Sequence, residues 1–299
     1  MDGSGGGFAG PLRVVPGGAL RLYCPSGEGR MSPKKNGFVD RYGPWALVAG
    51  GSQGLGAAFA DELAADGLDL LLIARRPGPL EETAAGLRSR HSVQVRTAAI
   101  DLSRPGFLEL VESAAAGLEI GLLVCDAAHS HTGKFLAADL DTYARVLDTN
   151  CRAPLALIHK FGGMMAGRGR GGIVVMSSLS AFWGSPYVAV YGATKAFLLN
   201  LSEALGKELG ARGVDVTVCT AGPVLTPNYV LSKPADAGPS ALEMQPQKVA
   251  AAALGALGRR PLVVPGTLNR FAQFFMTRFV SRRAAVSLLE KSTARMYGD

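Results

Sequence analysis

The chain has 299 residues, of which 48% are hydrophobic, and a formal net charge of +7. This length and composition allow a full hydrophobic core and favour one large domain over two small ones. The positive charge is concentrated near the C-terminus, where residues 259–299 carry eight Lys or Arg and two acidic residues. No basic stripe crosses the rest of the sequence, so binding to nucleic acid is not expected.

The N-terminal region is rich in Gly and Pro and lacks the continuous apolar segment of a secretory signal. We expect residues 1–40 to form a disordered extension. No apolar run approaches the roughly 20 residues that a membrane span needs. The four cysteines lie far apart, without a C-x-x-C pair, which is typical of reduced thiols in a cytoplasmic protein; they are Cys24, Cys125, Cys151 and Cys219.

From Trp45 onward, short apolar runs alternate with Ala-rich stretches of helical periodicity. Strands that are apolar on both faces and separated by helices indicate a parallel sheet covered on both sides. We therefore predict a doubly wound, Rossmann-like α/β domain over residues 41–266, followed by basic amphipathic helices over residues 267–299. The predicted strands are WALVA (45–49), LDLLLIA (68–74), VQVRTAAI (93–100), IGLLVC (120–125), GIVVMS (172–177), VDVTVC (214–219) and PLVVP (261–265).

The first predicted strand is followed by AGGSQGLG at residues 49–56, and an amphipathic helix comes directly after it. Glycines at Gly50, Gly54 and Gly56 allow the backbone to turn tightly and to approach a pyrophosphate, which would lie on the amides at the helix N-terminus. A glycine-rich turn without a ligand is the alternative. The position between a first strand and a first helix favours dinucleotide binding.

The glycine spacing G-x-x-x-G-x-G resembles that of the short-chain dehydrogenase/reductases, and further motifs extend the resemblance from about residue 43 to about residue 225. Towards its end the chain is similar to the ketoacyl-reductase-like branch of that family. The resemblance implies an oxidoreductase that binds a nicotinamide dinucleotide. In this turn it implies cofactor contacts from Gly50, Ser52, Gln53, Gly54, Leu55 and Gly56.

The second predicted strand ends in LLIARRP, residues 71–77. An acidic residue at this place would bind the adenosine ribose hydroxyls of NAD, whereas arginine favours the 2′-phosphate of NADP. Ala74 occupies the acidic position, and Arg75 and Arg76 follow it. We expect NADP(H) to be preferred over NAD(H), by roughly ten- to a hundredfold for one charge-assisted hydrogen bond. The alternative is that both arginines only solvate the strand end.

Two loops on the adenosine side carry further candidates. Asp101 and Leu102 follow the third predicted strand; the resemblance implies that the aspartate binds adenine, and an N-cap for a helix starting near Pro105 is an equal alternative. After the fourth strand the family usually has N-N-A-G, but this chain has CDAA at residues 125–128. Asp126 lacks the amide donor of asparagine. Ala127 is still expected beside the cofactor.

Four residues match the catalytic set of the family. Tyr191 and Lys195 share one face of a predicted helix, and Ser178 lies at the end of a strand, thirteen residues before Tyr191. The resemblance implies that Tyr191 is the general acid/base, that Lys195 lowers its pKa and holds the ribose, and that Ser178 binds the substrate oxygen. It also implies that Asn150 anchors a water in the proton relay. The interval favours Ser178 over the adjacent Ser177.

The segment after the sixth strand is expected on the substrate side. It reads AGPVLT at residues 221–226, with Ala221 where the family usually has proline, and Gly222, Val224 and Thr226 are expected beside the nicotinamide. Residues 224–245 are typical of a mobile substrate lid. This segment has no arginine cluster of the kind that would indicate an acidic substrate. Its composition therefore favours a ketone or acyl-type carbonyl on an apolar body.

Residues 268–283 predict a basic amphipathic helix, with Leu268, Phe271, Phe275, Met276 and Phe279 on its apolar side. That side is expected to pack on the domain, to line the substrate cleft or to join a second subunit in a homodimer or homotetramer; peripheral contact with an anionic membrane is the alternative. His129 and His131 lie in a polar loop without a third ligand, so no metal site is expected.

The sequence therefore predicts an NADP(H)-dependent oxidoreductase that interconverts a carbonyl and a secondary alcohol on an apolar small molecule, with Tyr191 as general acid/base. A non-catalytic NADP(H)-sensing or scaffold protein that retains the fold is the alternative, motivated by Asp126 and Ala221.

Overall fold

The computed structural model of the chain describes residues 35–233 and 238–297. Of the extension predicted for residues 1–40, positions up to 34 lie outside the described residues, together with Cys24. From Lys35 the chain is helical. All described residues belong to one compact domain.

A sheet of parallel strands forms the centre of the described domain, in the order β3-β2-β1-β4-β5-β6-β7. Every residue of the first and fourth strands is buried, as expected for parallel strands covered on both faces. The predicted doubly wound α/β fold is confirmed. The strands are β1 (Trp45–Ala49), β2 (Asp69–Ala74), β3 (Val95–Ala99), β4 (Ile120–Cys125), β5 (Gly171–Ser178), β6 (Val214–Ala221) and β7 (Leu262–Val263).

Helices cover both faces of the sheet, and each face has its own core. Because side chains alternate along a strand, neighbours in β2 enter opposite cores: Leu72 packs with Phe59, and Leu71 with Phe161. The helices are α1 (Lys35–Tyr42), α2 (Gly54–Ala65), α3 (Pro77–Arg90), α4 (Phe107–Ala114), α5 (Leu140–Leu147), α6 (Ala153–Leu157), α7 (Gly163–Arg168), α8 (Ala189–Glu208), α9 (Pro227–Ser232), α10 (Pro246–Ala256), α11 (Thr267–Phe279) and α12 (Arg282–Tyr297).

Two predicted elements differ from the structure near the C-terminus. The last strand is only Leu262–Val263, because the prolines at either end of the predicted run 261–265 have no amide hydrogen to donate to a neighbouring strand. The helix predicted over 268–283 is two helices, since α11 ends at Phe279 and α12 begins at Arg282. None of the helices in the described residues has the length and apolarity needed to cross a membrane.

The strand order brings four loops to one edge of the sheet. The chain runs outwards from β1 to β3 and returns to β4 beside β1, and ligands of such sheets bind where the order reverses, at the carboxyl ends of the strands. The glycine turn follows β1, Asp126 follows β4, Ser178 ends β5 and Gly222 follows β6. The topology therefore assembles one candidate site from segments distant in sequence.

Phe59 tests the packing of α2 against the sheet. Its side chain is fully buried in the core that α2 shares with the sheet, so Phe59→Ala should lower the free energy of unfolding by about 3–5 kcal/mol in urea denaturation. Phe271→Ala is the matched control, because that ring is exposed on α11; a change within about 0.5 kcal/mol is expected. Equal losses for the two variants would contradict the described core.

Candidate active site

The glycine turn brings the start of α2 close to the end of β1. Gly50 has a φ of 105°, and its amide donates to the Ile73 carbonyl at 2.8 Å. A Cβ on Gly56 would lie 2.1 Å from the Gly50 carbonyl oxygen, so no larger residue fits there. The N-cap residue Gln53 makes no side-chain capping bond to α2. The turn thus directs helix amides and the positive end of the helix dipole towards the sheet edge, an arrangement that suits a diphosphate.

Two residues that are predicted to contact the cofactor have buried side chains. Leu55 packs in one core and Leu102 in the other, so most of each side chain is covered by the protein itself. The backbone of Ser52 accepts a hydrogen bond from the Thr83 hydroxyl at 2.8 Å. The Ala127 amide donates to the Ala49 carbonyl at 2.7 Å, which holds the loop after β4 against the glycine turn.

Asp126 lies beneath the turn, where it accepts a hydrogen bond from the Gly56 amide. Burial raises the pKa of its carboxyl, against the opposing effects of the nearby Lys195 ammonium and of the Gly56 amide. The thiols of Cys125 and Cys219 also lie close enough to interact with this charge. Because Asp126 stands where the family motif usually has asparagine, a titratable carboxyl lies next to the turn that is expected to bind an anion.

The two predicted NADP-selecting arginines occupy different places. Arg76 is tied to the glycine turn, donating to the Gln53 side-chain oxygen at 2.7 Å. Arg75 lines a cavity of about 310 Å³ together with His129 and Asp101. Arg104 and Arg145 line the same cavity, and neither was predicted from the sequence. A cavity with three arginines on its wall is suited to an anionic group.

Asp101 is not a helix N-cap, because α4 begins at Phe107 with Gly106 as its capping residue. Instead, one carboxylate oxygen accepts hydrogen bonds from the Ser103 amide at 3.0 Å and the Ser103 hydroxyl at 2.7 Å. Burial raises the pKa of Asp101, but these bonds and the nearby Arg75 outweigh it, and the net pKa is lowered. An ionised carboxylate thus lies on the wall of the arginine-lined cavity.

Tyr191 and Lys195 lie on one face of α8, as the spacing predicts, and the Lys195 Nζ is 5.5 Å from the centroid of the Tyr191 ring. Lys195 is only 3% exposed, and its Nζ donates to the Met176 carbonyl at 2.9 Å. Burial lowers the pKa of this ammonium, and the charge of Asp126 works in the opposite direction. The phenol ring therefore has a buried cation beside it.

The serines at the end of β5 have different surroundings. The Ser177 hydroxyl is buried and donates to the Lys195 carbonyl at 2.8 Å, which ties α8 to the strand. The Ser178 hydroxyl accepts a hydrogen bond from the Ser180 amide at 3.2 Å and lies at the strand end, half-buried. The Ser177 hydroxyl is thus engaged with α8, and the role of Ser178 stays a prediction.

Asn150 links the loop after β4 to α8. It is fully buried in the π-helical turn Asp148–Arg152, a local departure from α-helix that occurs often at functional sites. Its side-chain amide donates to the His129 carbonyl at 2.9 Å and to the Thr194 hydroxyl at 3.0 Å, and its oxygen accepts from the His129 amide at 2.8 Å. Asn150 thus fixes this loop relative to the helix that carries Tyr191.

The turn after β6 closes the site on the opposite side. A Cβ on Gly54 would lie 3.0 Å from the Thr226 side chain, so this turn meets the glycine turn directly. Thr226 also caps α9, and Val224 forms a bridge with Met244. Lys233 and Glu243 are paired at 2.6 Å and connect the two described ends of the predicted lid, whose residues 234–237 lie outside the described residues.

His131 packs edge-on against the Tyr143 ring, with centroids 5.7 Å apart. Among the described residues no group of three or more His, Cys, Asp or Glu side chains is placed to hold a metal ion. Cys125 and Cys219 are buried free thiols, and Cys151 is a half-buried one.

Comparison with known proteins identifies the family to which this chain belongs. Residues 44–235 match the family model described as short chain dehydrogenase, and the chain belongs to this family. The chain is 31% identical over 233 residues to the 7beta-hydroxysteroid dehydrogenase of Clostridium sardiniense, covering 78% of this chain and 89% of that protein. It is 30% identical over 288 residues to the very-long-chain 3-oxoacyl-CoA reductase of Phaeosphaeria nodorum, covering 92% and 78%.

Solved structures agree with this assignment. A 7beta-hydroxysteroid dehydrogenase superposes with a TM-score of 0.80 at 27% identity, over 84% of this chain and 98% of the other. A short-chain dehydrogenase from Sphingobium yanoikuyae, in complex with NADPH, superposes with a TM-score of 0.70 at 29% identity, over 79% and 96%. The predicted family is confirmed, and the chain is an oxidoreductase of a family that uses NAD(P)(H).

The raised pKa of Asp126 predicts a pH-dependent stability. A carboxyl whose folded-state pKa exceeds its unfolded value stabilises the fold while protonated, and this contribution is lost as pH rises through the folded-state pKa. Asp126→Asn removes the titration and keeps an acceptor for the Gly56 amide. The unfolding free energy of the variant minus that of the wild type should rise by about 1–2 kcal/mol from about pH 5 to about pH 8, measured in urea.

Asp141→Asn is the control, because that side chain is exposed in the first turn of α5. Its difference from the wild type should be the same at both pH values. A pH-independent difference for Asp126→Asn as well would show that burial does not perturb the Asp126 carboxyl.

Proposed function

We propose that this oxidoreductase is an NADP(H)-dependent carbonyl reductase and secondary-alcohol dehydrogenase with Tyr191 as its general acid/base. The observation that carries the proposal is the buried Lys195 ammonium beside the Tyr191 ring, at the sheet edge that also holds the glycine turn. Burial of this ammonium costs free energy that the charge of Asp126 offsets only in part, and a proton-transferring phenol beside it would account for its place there.

The residues present fit a nicotinamide dinucleotide. The positions that a Cβ would occupy on Gly50 and Gly56 are filled by backbone atoms of the protein, so glycine at both lets the turn pack tightly on itself and on the loop after β4. A tight turn at a helix N-terminus presents backbone amides that suit a diphosphate. On our proposal the turn residues Gly50 to Gly56 hold the diphosphate, Asp101 and Ala127 contact the adenosine half, and Gly222, Val224 and Thr226 contact the nicotinamide half. Lys195 contacts the ribose next to the nicotinamide.

We infer a preference for NADP(H) from the arginine-lined cavity. Arg75, Arg104 and Arg145 converge there from three different segments, and Arg76 lies next to the glycine turn. A 2′-phosphate adds about two negative charges to the adenosine half, and arginine binds phosphate with paired, charge-assisted hydrogen bonds. The ribose hydroxyls of NAD offer no such charge.

The proposed reaction divides the work between cofactor and protein. The bound nicotinamide supplies or accepts the hydride. The Ser178 hydroxyl donates a hydrogen bond to the substrate oxygen and orients the carbonyl. The Tyr191 hydroxyl gives its proton to that oxygen in reduction, and the Lys195 ammonium favours the phenolate that remains. Asn150 keeps α8 and the His129 loop in register, so that Tyr191 stays in position.

For the substrate we infer a ketone or 3-oxoacyl-type carbonyl on an apolar body. The relatives named for hydroxysteroids and for very-long-chain 3-oxoacyl-CoA both act on large apolar molecules. The elements flanking the cleft are apolar here as well, since Val230 and Leu231 of α9 are exposed next to the turn that carries Thr226. Steroid ketones and 3-oxoacyl thioesters are therefore the compounds to assay.

We also infer a cytoplasmic homodimer or homotetramer with peripheral membrane contact through the C-terminal helices. Exposed apolar side chains on consecutive helical segments support self-association, among them Leu147 and Leu155. The exposed rings of α11 support membrane contact.

Tyr191→Phe tests the role of the phenol. Removing only the hydroxyl should lower kcat for the best ketone of the panel by at least about a hundredfold, because general acid–base catalysis contributes factors of that size. The Kd for NADPH, measured by fluorescence, should change little. Tyr229→Phe is the matched control, since its hydroxyl bonds Glu243 in the lid. Equal kcat in Tyr191→Phe and wild type would exclude the phenol, and NADPH binding without wild-type turnover of any compound would favour the sensor alternative.

Arg75→Ala tests cofactor choice. Loss of one charge-assisted bond to the 2′-phosphate should lower the ratio of kcat/KM for NADPH to that for NADH by about ten- to a hundredfold. Arg212→Ala, an exposed arginine before β6, should leave the ratio unchanged. An unaltered ratio in Arg75→Ala and in Arg76→Ala would reject the assignment of these arginines.

A further inference from the structure

We propose that the outward face of α11 binds the surface of an anionic lipid bilayer. We define this C-terminal apolar face by four exposed rings: Phe271, Phe274, Phe275 and Phe279. The binding itself does not depend on turnover, whereas its benefit, delivery of an apolar substrate to the cleft, rests on the proposed function.

The inward side of α11 is mixed, with Asn269 buried and Ala272, Gln273 and Met276 half-buried. Asn269 is only 2% exposed, and its side-chain amide donates to the Leu242 carbonyl at 3.1 Å. Phe271 and Phe279 are 64% and 66% exposed on the outer side. An amphipathic helix of a water-soluble domain ordinarily buries its apolar stripe. Here the four rings lie outside the covered side, which leaves aromatic surface for contact with something other than this domain.

The exposed rings form one continuous surface. The centroids of Phe271 and Phe275 are 6.3 Å apart, those of Phe275 and Phe279 are 5.5 Å apart, and those of Phe274 and Phe279 are 6.2 Å apart. Single exposed apolar residues are common on protein surfaces, but a contiguous aromatic group marks an interaction site.

The charges around the rings indicate an anionic partner. Residues 267–289 contain Arg270, Arg278, Arg282 and Arg283 and no acidic residue. Aromatic rings that enter the headgroup boundary, with arginines whose long side chains reach the phosphates, are the pattern of interfacial helices. Each basic residue close to an anionic membrane adds to the attraction, which salt screens.

The same charges disfavour a second copy of the chain as the occupant. In a symmetric dimer built on this face, the face would meet itself, so the arginines of one protomer would approach those of the other. Like charges brought together at an interface oppose association. An anionic bilayer offers an apolar boundary to the rings and negatively charged headgroups to the arginines.

The location of the face connects it to the cleft. A Cβ on Gly222 would lie 2.9 Å from the Asn269 side chain, so α11 begins against the turn proposed to contact the nicotinamide. Arg282 of α12 donates to the Phe182 carbonyl at 3.4 Å, in the loop that follows Ser178. The two C-terminal helices therefore pack on both loops beside the proposed reaction centre.

The experiment is co-sedimentation of the full chain with vesicles of phosphatidylcholine alone and of phosphatidylcholine with about 30% phosphatidylserine, at low and at physiological salt. We expect binding to the anionic vesicles, weaker binding as salt rises, and little binding to the neutral ones. The double variant Phe271→Ser/Phe279→Ser and the variant Arg270→Gln/Arg278→Gln should each weaken binding to the anionic vesicles by about tenfold or more. Leu110→Ser/Leu136→Ser, which removes two exposed apolar side chains elsewhere, should bind as the wild type does.

Three results would overturn the proposal: no sedimentation with either vesicle, equal sedimentation with both, or loss of a dimer in light scattering when Phe271 and Phe279 are replaced. The last result would assign the face to a second copy. NADPH oxidation with the ketone panel is measured on the same preparation without vesicles. Turnover without vesicle binding would refute the membrane surface alone, and vesicle binding without turnover would refute the proposed function alone.

Discussion

The burial of one ammonium group constrains the whole candidate site. Lys195 lies almost completely out of water and donates to a strand carbonyl, that of Met176. Desolvation of a charge opposes folding, so this arrangement persists only if surrounding contacts hold the helix in place. Two such contacts are present. The Ser177 hydroxyl donates a hydrogen bond to the Lys195 carbonyl, and the Thr194 hydroxyl accepts one from the Asn150 side-chain amide. Strand β5 and the π-helical turn together fix α8, and with it the Tyr191 ring.

The electrostatics of the site extend from this lysine to the glycine turn. Asp126 takes the place of an asparagine in the family motif and accepts a hydrogen bond from the Gly56 amide, but it adds a negative charge that interacts with Lys195. Each charge partly compensates the other, and burial pushes both towards their neutral forms. The protonation of the pair is thus linked to the turn that is proposed to bind a diphosphate, a linkage that asparagine could not provide.

Much of the fold and part of the site follow from local sequence patterns. Alternating apolar runs and helical stretches define a doubly wound sheet, and a glycine turn after its first strand together with Tyr191 and Lys195 on one helix indicates the chemistry. Arg104 and Arg145 were not predicted, because they come from separate loops and helices that converge only in the folded chain. The desolvation of Asp126 likewise depends on neighbours distant in sequence. For α11 the pattern showed which residues share a face, but the packing of Asn269 decides which face is covered.

Lys195→Met tests the central claim most directly, because methionine is of similar length, fills the same buried space and carries no charge. If Lys195 is retained for chemistry, kcat/KM for the best ketone should fall by about a hundredfold or more. The free energy of unfolding, measured in urea at about pH 5, where a protonated Asp126 needs no compensating charge, should stay the same or rise as the cost of burying an ammonium is removed. Turnover close to that of the wild type, or a large loss of stability with activity retained, would contradict the account and make Lys195 a structural residue.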